Sequence, residues 1–450
     1  MHEVTATVTP VAADEAVRRT AAFLDVVFPP PRDFSIRLWS GDLLPARGAS
    51  RFTLVLRTPG SLRRMFRVPV ELSLGEAYLR GDFDVEGDLV AAFSLARTAH
   101  RIAQSPGAAM ALVRGWFGLP RGEAGESIAA RGPALLHGHE HSRERDRAAI
   151  QYHYDVGNDF YQLFLDGRMI YSCAYFPTGA EDIDAAQEAK LEHICRKLRL
   201  REGERLLDIG CGWGGLLIYA AQRFGIEGVG VTLSNEQHRL ANERIREAGL
   251  ESRLRVEKRD YRDLGDESFD KIVSVGMFEH VGRSRFSEYF THVFRLLRPG
   301  GIFLNHAIAS RPEPVRRGLG GIIARTLDQA LVGNETFRKR YIFPDGELAP
   351  VSIANTVAEM AGFEVRDLEN LREHYALTLR RWLARLRERR ADAVASAGLP
   401  LFRLWEMYLA GSIYHFETAM ININQTLFAK PIESGRVDLP RTRADLYVSA

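Results

Sequence analysis

Between Arg205 and Ala309 the chain alternates short apolar runs with helical stretches, and this alternation constrains the fold more than any other feature. "RLLDIG" (205–210) is an apolar run stopped by glycine, followed by the helical "GGLLIYAAQRFG". "EGVGVTLS" (227–234) leads into "NEQHRLANERIREAGL", where Asn235 carries a cap signal and Gly249 a stop. "LRVEKRD" (254–260), "FDKIVSVG" (269–276) and "GIFLNHAIA" (301–309) supply three more strands. Strands separated by helices build an open, mainly parallel sheet with helices on both faces, an α/β architecture. Ligands of such sheets bind outside the carboxyl ends of the strands. The tips after Ile209, Val231, Arg259 and Val275 should therefore converge on one site.

Upstream the texture differs. From about Arg18 to Phe93, short alternating segments ("FSIRLWS", "RFTLVLRT", "VELSLGEAYL") read as strands between turns, a small α+β domain. A helix-like segment, Leu89–Val113, follows, and then "PRGEAGESIAARGPALLHGHEHS" has the Gly, Ala and polar composition of a linker. With 450 residues, two domains are the natural expectation. The boundaries read as 1–119 for the first domain, 120–145 for the linker and 146–450 for the second.

The chain has three cysteines, Cys173, Cys195 and Cys211, with no CxxC pair, so neither a disulfide framework nor a metal site is expected. The N-terminus lacks a basic-then-apolar leader pattern. No apolar run approaches the ~18–20 residues that span a bilayer. These features imply a soluble protein of a reducing cytoplasm, able to touch a membrane surface. Only six basic residues are lysines, so the positive charge is carried by arginine. Codon usage in a GC-rich genome and bidentate phosphate contact both account for that. No nucleic-acid partner is implied.

"LLDIGCGWGG" ends a strand with an acidic residue and opens a helix with four glycines. Glycines let backbone approach a ligand, and a helix start offers free N–H groups. The spacing is G-x-G-x-G-G with no following phosphate-binding lysine, which argues against a kinase-type P-loop. Together with "GVTLSNEQ" and "KRDYRDL", this loop resembles that of the class I S-adenosylmethionine-dependent methyltransferases, which are Rossmann-like. The resemblance implies that Asp208, Gly210 and Gly212 line the methionine part of S-adenosylmethionine. It implies that Thr232, Leu233, Ser234 and Gln237 meet the ribose and that Asp260 and Tyr261 hold the adenine. The second strand ends in "VTLS" where an acidic residue is common, pointing to a subfamily that uses Thr232, Ser234 and Gln237 instead.

One further stretch, "YHYDVGNDFYQLFLDGRMIYSCAYF" (152–176), has eight Tyr or Phe among 25 residues, against 10% aromatics in the whole chain. Its rings interleave with Asp155, Asn158, Asp159 and Asp166, a pattern that suits a cavity wall better than a core. With "VSVGMFEHVG", "YIFPDGELAP", "REHYALTL" and "LWEMYLAGSIYHF", it resembles the cyclopropane-fatty-acyl-phospholipid synthase family over about 150–430. The N-terminal region is similar to the small lipid-binding-type domain of the longer bacterial members. The resemblance implies methylene transfer from S-adenosylmethionine to a cis double bond, through a carbocation that aromatic faces stabilise and from which water is excluded. It implies bound bicarbonate as the base, held by Cys173, Glu279, His306, the backbone of Ile308 and Tyr375, with Tyr171 and Ser172 against the cofactor. Read alone, Cys173 is a buried filler, His306 a core histidine and Glu279 a cap. Cys195 and Cys211 read as structural.

An acyl chain must be drawn from a bilayer. Segment 311–333 alternates arginines with apolar residues, and "RRWLARLRERR" (380–390) is strongly basic; anionic lipid attracts such segments, although 380–390 reads equally as a solvated face. Helix 401–420 is apolar around most of its circumference and suits a tunnel wall. The implied partners are an unsaturated phospholipid at the inner face of the cell membrane and a second copy of the chain in a homodimer. Three alternatives remain open at this point: a methyl- or methylene-branched acyl product, a small-molecule N-methyltransferase, and a lipid-binding protein with a relict cofactor site.

Overall fold

The computed structural model describes residues 10–95, 106–122, 132, 134, 136–154, 156–312 and 336–447. These residues form two compact units. The first gathers the described residues of Met1–Pro133, Pro314–Ile342 and Ala397–Tyr414, and the second those of Ala134–Glu313, Phe343–Ser396 and His415–Ala450. The boundaries read from the sequence are continuous; these units are not. Asp155, segment 313–335 and much of 120–145 lie outside the described residues.

In the first unit, β1 (Ser35–Arg37), β2 (Leu43–Leu44), β3 (Phe52–Leu56) and β4 (Phe83–Gly87) form a sheet in the order β2-β1-β3-β4. Phe23, Leu24, Ile36, Leu54, Leu56 and Leu62 are buried against it. "VELSLGEAYL", expected as a strand, is the helix Val70–Leu79. Its apolar alternation misleads because Glu, Leu and Ala are strong helix formers. Leu72, Gly75 and Leu79 are buried at helical spacing, and Pro69 precedes the first turn. The expected helix Leu89–Val113 is represented by two helices, Leu89–Ala92 and Pro106–Gly118, between which 96–105 are not described.

In the second unit a seven-stranded sheet runs β10-β11-β9-β8-β5-β6-β7. These strands are β5 (Arg205–Ile209), β6 (Glu227–Thr232), β7 (Leu254–Lys258), β8 (Phe269–Val275), β9 (Leu297–Ser310), β10 (Glu364–Asn370) and β11 (Ile421–Ala429). The five from β9 to β7 are mutually parallel, and β10 and β11 add an antiparallel edge beside β9. Central β5 buries Leu206, Leu207, Asp208 and Ile209 because helices cover both faces of the sheet. The helix after β6 starts one residue earlier than the sequence signal suggested: Ser234, not Asn235, is its cap and accepts the Gln237 N–H.

Candidate active site

The four strand tips singled out in the sequence do meet. A cleft of about 1150 Å³, counted to its open mouth, is lined by Ile209–Gly212, Val231–Leu233, Arg259–Arg262 and Val275–Met277. Two glycines show why the loop after β5 needs them. At Gly210 (φ +80°) a Cβ would lie 2.7 Å from that of Met277, so packing as well as conformation excludes a side chain. At Gly212 (φ +54°) a Cβ would meet nothing within 4 Å; the backbone there is bare toward open space. The two glycines thus serve different ends, one closing the loop and one exposing it.

The tip of β6 is tied to itself. Thr232 Oγ1 donates to Gln237 Oε1 at 2.7 Å and accepts the Ser234 N–H at 3.2 Å. This leaves the amide nitrogen of Gln237 as its remaining polar end, and Gln237 forms part of the cleft wall. Thr232 and Leu233 also line the cleft, whereas Ser234 stands behind it as the cap. At the β7 tip, Asp260 and Tyr261 line the cleft as well. Burial would raise the Asp260 carboxyl, but bonds from Arg262 at 2.6 and 2.9 Å outweigh it and hold the group below the usual carboxylate range. Arg262 reaches Asp146 as well, at 3.0 Å.

The aromatic stretch divides. Tyr154, Ile170, Tyr171 and Ser172 line the cleft, while Phe160, Tyr161, Phe164 and Phe176 are core. Tyr161 and Tyr171 have ring centroids 5.4 Å apart, and Tyr171 lies 5.3 Å from Trp382, so the wall rests on a bed of rings. Asn158 is not interleaved surface: its amide accepts from Trp213 Nε1 at 2.8 Å and donates to Glu236 at 3.1 Å. The reading of the whole stretch as cavity wall therefore holds for Tyr154 and residues 169–172 and not for the rest.

Sequence reasoning missed Lys190. It lies on the helix Ile183–Leu198 among Ile183, Gln187, Leu191, Ile194 and Leu198, all buried. That helical spacing was visible and places a lysine on a core face. Lys190 lines the cleft with only 2% of its surface exposed, and its Nζ donates to Ser172 Oγ at 3.0 Å. Gln187 clamps the same segment, donating to the carbonyls of Ile170 and Ser172 at 3.3 and 2.9 Å. Burial pulls the Lys190 ammonium down to about 8 and pushes the nearby Asp208 carboxyl up to about 7. Asp208 Oδ1 has no hydrogen-bond partner among the described residues. An unanswered carboxylate oxygen, a buried ammonium and bare glycine backbone in one cleft fit an amino-acid group carrying both charges, such as the methionine end of S-adenosylmethionine.

The five residues expected at the base line none of this cleft; they stand behind its wall. Cys173 follows Ser172 inward and is fully buried, its thiol 3.8 Å from the carbonyl of Leu371. Ala174 N–H donates to Thr378 Oγ1 at 3.0 Å, which seats this segment on the helix Arg372–Glu388, where buried Tyr375 packs 4.7 Å from Phe416. Burial pushes the Cys173 thiol up, so it stays protonated. Glu279 is joined to Ile308, whose N–H donates to Oε1 at 2.7 Å. The donor expected from the Ile308 backbone is therefore occupied by the carboxylate. His306, two residues earlier on β9, is 0% exposed, and its Nε2 has no partner among the described residues. Burial, with Lys190 and Lys197 adding to it, pushes the ring's value well below the ordinary histidine range, so it is neutral.

Elsewhere, Cys195 and Cys211 are buried, as structural cysteines are. Among the arginines of 380–390, Arg380, Arg385 and Arg389 are committed to Glu417, Asp184 and Asp392. The helix Leu399–Glu417 buries Phe402, Trp405, Leu409 and Ile413. Its Arg403 and Glu406 bond Asp84 and Tyr78 of the first unit, to which they also belong. No described helix is long and apolar enough to cross a membrane.

Residues 141–426 match the family model described as mycolic acid cyclopropane synthetase. A probable fatty acid methyltransferase of Pseudomonas putida is 38% identical over 416 residues, covering 92% of this chain and 95% of that protein. The cyclopropane-fatty-acyl-phospholipid synthase of Escherichia coli is 37% identical over 294 residues, 65% of this chain and 71% of its own. A solved mycolic acid cyclopropane synthase complexed with SAH and CTAB is 33% identical with a TM-score of 0.57, covering 63% of this chain and 98% of its own. The chain belongs to the mycolic acid cyclopropane synthetase family of S-adenosylmethionine-dependent methyltransferases.

Proposed function

We propose that the protein transfers a methylene group from S-adenosylmethionine to a cis double bond of an unsaturated acyl chain in a membrane phospholipid, giving a cyclopropane acyl chain. The enzyme would work at the inner face of the cell membrane. When bound, S-adenosylmethionine would supply an electrophilic methyl group to the alkene, and bicarbonate would accept the proton whose loss closes the ring. The observation that carries the reading is His306: a fully buried, neutral imidazole with an unanswered Nε2. Burial, with Lys190 and Lys197 adding to it, keeps the ring neutral, and a neutral ring can offer an N–H to a small anion.

The chain's own residues have definable tasks. Gln187 holds the carbonyls of Ile170 and Ser172, and Lys190 holds the Ser172 hydroxyl, at the cleft. The rings of Tyr171, Tyr161 and Trp382 give that wall an apolar backing that keeps water away from a cation. Cys173, held as the thiol, is a poor nucleophile, so it does not compete with the alkene for the methyl group. His306 can donate from Nε2 to an anion without itself carrying charge.

Labelled S-adenosylmethionine incubated with vesicles of cis-unsaturated phospholipid, followed by mass spectrometry of the acyl chains, tests this. A gain of one methylene with no double bond left supports the ring. The full-length match to a protein described as a fatty acid methyltransferase favours a second reading, a methyl- or methylene-branched chain; a gain with unsaturation retained would establish it. Label on an added amine and none on lipid would refute both.

A further inference from the structure

The antiparallel edge of the sheet carries a polar row that the proposed chemistry has not used. Register places Glu369 of β10 opposite Gln425 of β11, and Gln425 opposite His306 of β9. Side chains directly opposite on antiparallel strands share a face, with Cβ atoms about 4.5–5.5 Å apart. The outer end of the row is ionic: Glu369 Oε2 takes His193 Nε2 at 2.7 Å and Lys197 Nζ at 2.5 Å, both from the helix Ile183–Leu198. The inner end is uncharged and buried. Gln425 is 1% exposed, and its amide nitrogen lies 3.3 Å from His306 Nδ1.

An amide N–H₂ has no lone pair to offer, so it can only donate. With the amide nitrogen turned to the ring as here, Nδ1 is the acceptor and the ring proton is left on Nε2, the nitrogen that has no partner among the described residues. We propose that Gln425 is a positioning residue, fixing the tautomer of His306 so that Nε2–H is presented as a donor to the anion behind the cleft wall. This rests on the base-site reading given above. The row explains why glutamine stands there. A carboxylate in its place would pull the proton to Nδ1 and put a second negative charge opposite Glu369; a hydrocarbon would leave either tautomer free to form.

Heteronuclear NMR of the full chain labelled at histidine nitrogens reads the tautomer directly, with the His306 signals identified by their absence in His306→Gln. The expected result is a protonated Nε2 and an unprotonated Nδ1 in the native chain, a mixture in the near-isosteric Gln425→Met, and the reversed tautomer in Gln425→Glu. Turnover should fall about 10- to 100-fold in Gln425→Met, as for other partners that orient a histidine, with unchanged affinity for S-adenosylmethionine. A native Nδ1–H tautomer, or a Gln425→Met chain with native tautomer and turnover, overturns the proposal. If His306→Gln itself keeps turnover, the base-site reading falls instead, while the NMR result still decides what Gln425 does to the ring.

Discussion

In the cleft at the strand tips, buried polar side chains largely answer one another: Thr232 with Gln237, Asp260 with Arg262, Asn158 with Trp213. Behind the wall the pairing is incomplete: Glu279 takes the Ile308 N–H and Thr378 that of Ala174. His306 Nε2 and Gln425 Oε1 are buried without partners among the described residues. An unsatisfied buried polar atom costs about 1–3 kcal/mol, so its retention calls for a use that folding does not supply. In the cleft Asp208 Oδ1 stands without a partner among the described residues; at the rear His306 Nε2 and Gln425 Oε1 do.

Substitutions can break or sharpen that contrast. The largest effect is expected at the rear: His306→Gln should lower turnover by roughly 10²–10³-fold, within the span of acid–base groups, while calorimetry finds S-adenosylmethionine binding nearly unchanged. Equal loss of both would erase the distinction between front and rear. Lys190 lines the cleft and acts on Cys173 and His306 through its charge, and Lys190→Met should weaken cofactor binding about tenfold and turnover further. Thermal stability should hold or rise, because a buried charge is replaced by an apolar chain of similar volume.

A smaller effect concerns pH. The folded Asp208 carboxyl, raised to about 7, contributes stability fully below the ordinary carboxylate value and loses it as pH rises through about 7. Lys190 runs the other way: with a folded value of about 8, its contribution is full above the ordinary lysine range and is lost as pH falls through about 8. The empty cleft is thus least favoured near neutrality, and stabilisation by bound S-adenosylhomocysteine in thermal melts should peak there. Asp208→Asn should flatten the acid side of that profile. Smallest of all, Ser234→Ala removes a helix cap that only supports the front, and should lower unfolding free energy by about 1 kcal/mol in urea titrations with turnover intact.

Much of the front was legible because strand–helix periodicity and glycine placement are local signals. Ten of the eleven residues assigned to cofactor contact line the cleft, and the eleventh, Ser234, caps its helix. Lys190 went unread although its helical spacing exposed it, because one lysine among many arginines looks like surface. The row Glu369–Gln425–His306 could not be read at all: it exists only once three strands, far apart in sequence, adopt one register. The helix Val70–Leu79 was misread because a short alternating segment satisfies both periods, and propensity decided for the helix.

The discontinuity of the first unit bears on how the chain is made. Its residues Tyr78 and Asp84 take their partners Arg403 and Glu406 from beyond residue 400, and Glu76 takes Tyr341. A ribosome adds about 5–20 residues each second, so the four-stranded sheet waits some tens of seconds with those partners unsynthesised. The part that emerges first is completed almost last. A chain stopped before Leu399 would therefore leave its N-terminal unit unfinished as well as losing β11, and limited proteolysis of such a truncation should cut first among residues 61–92.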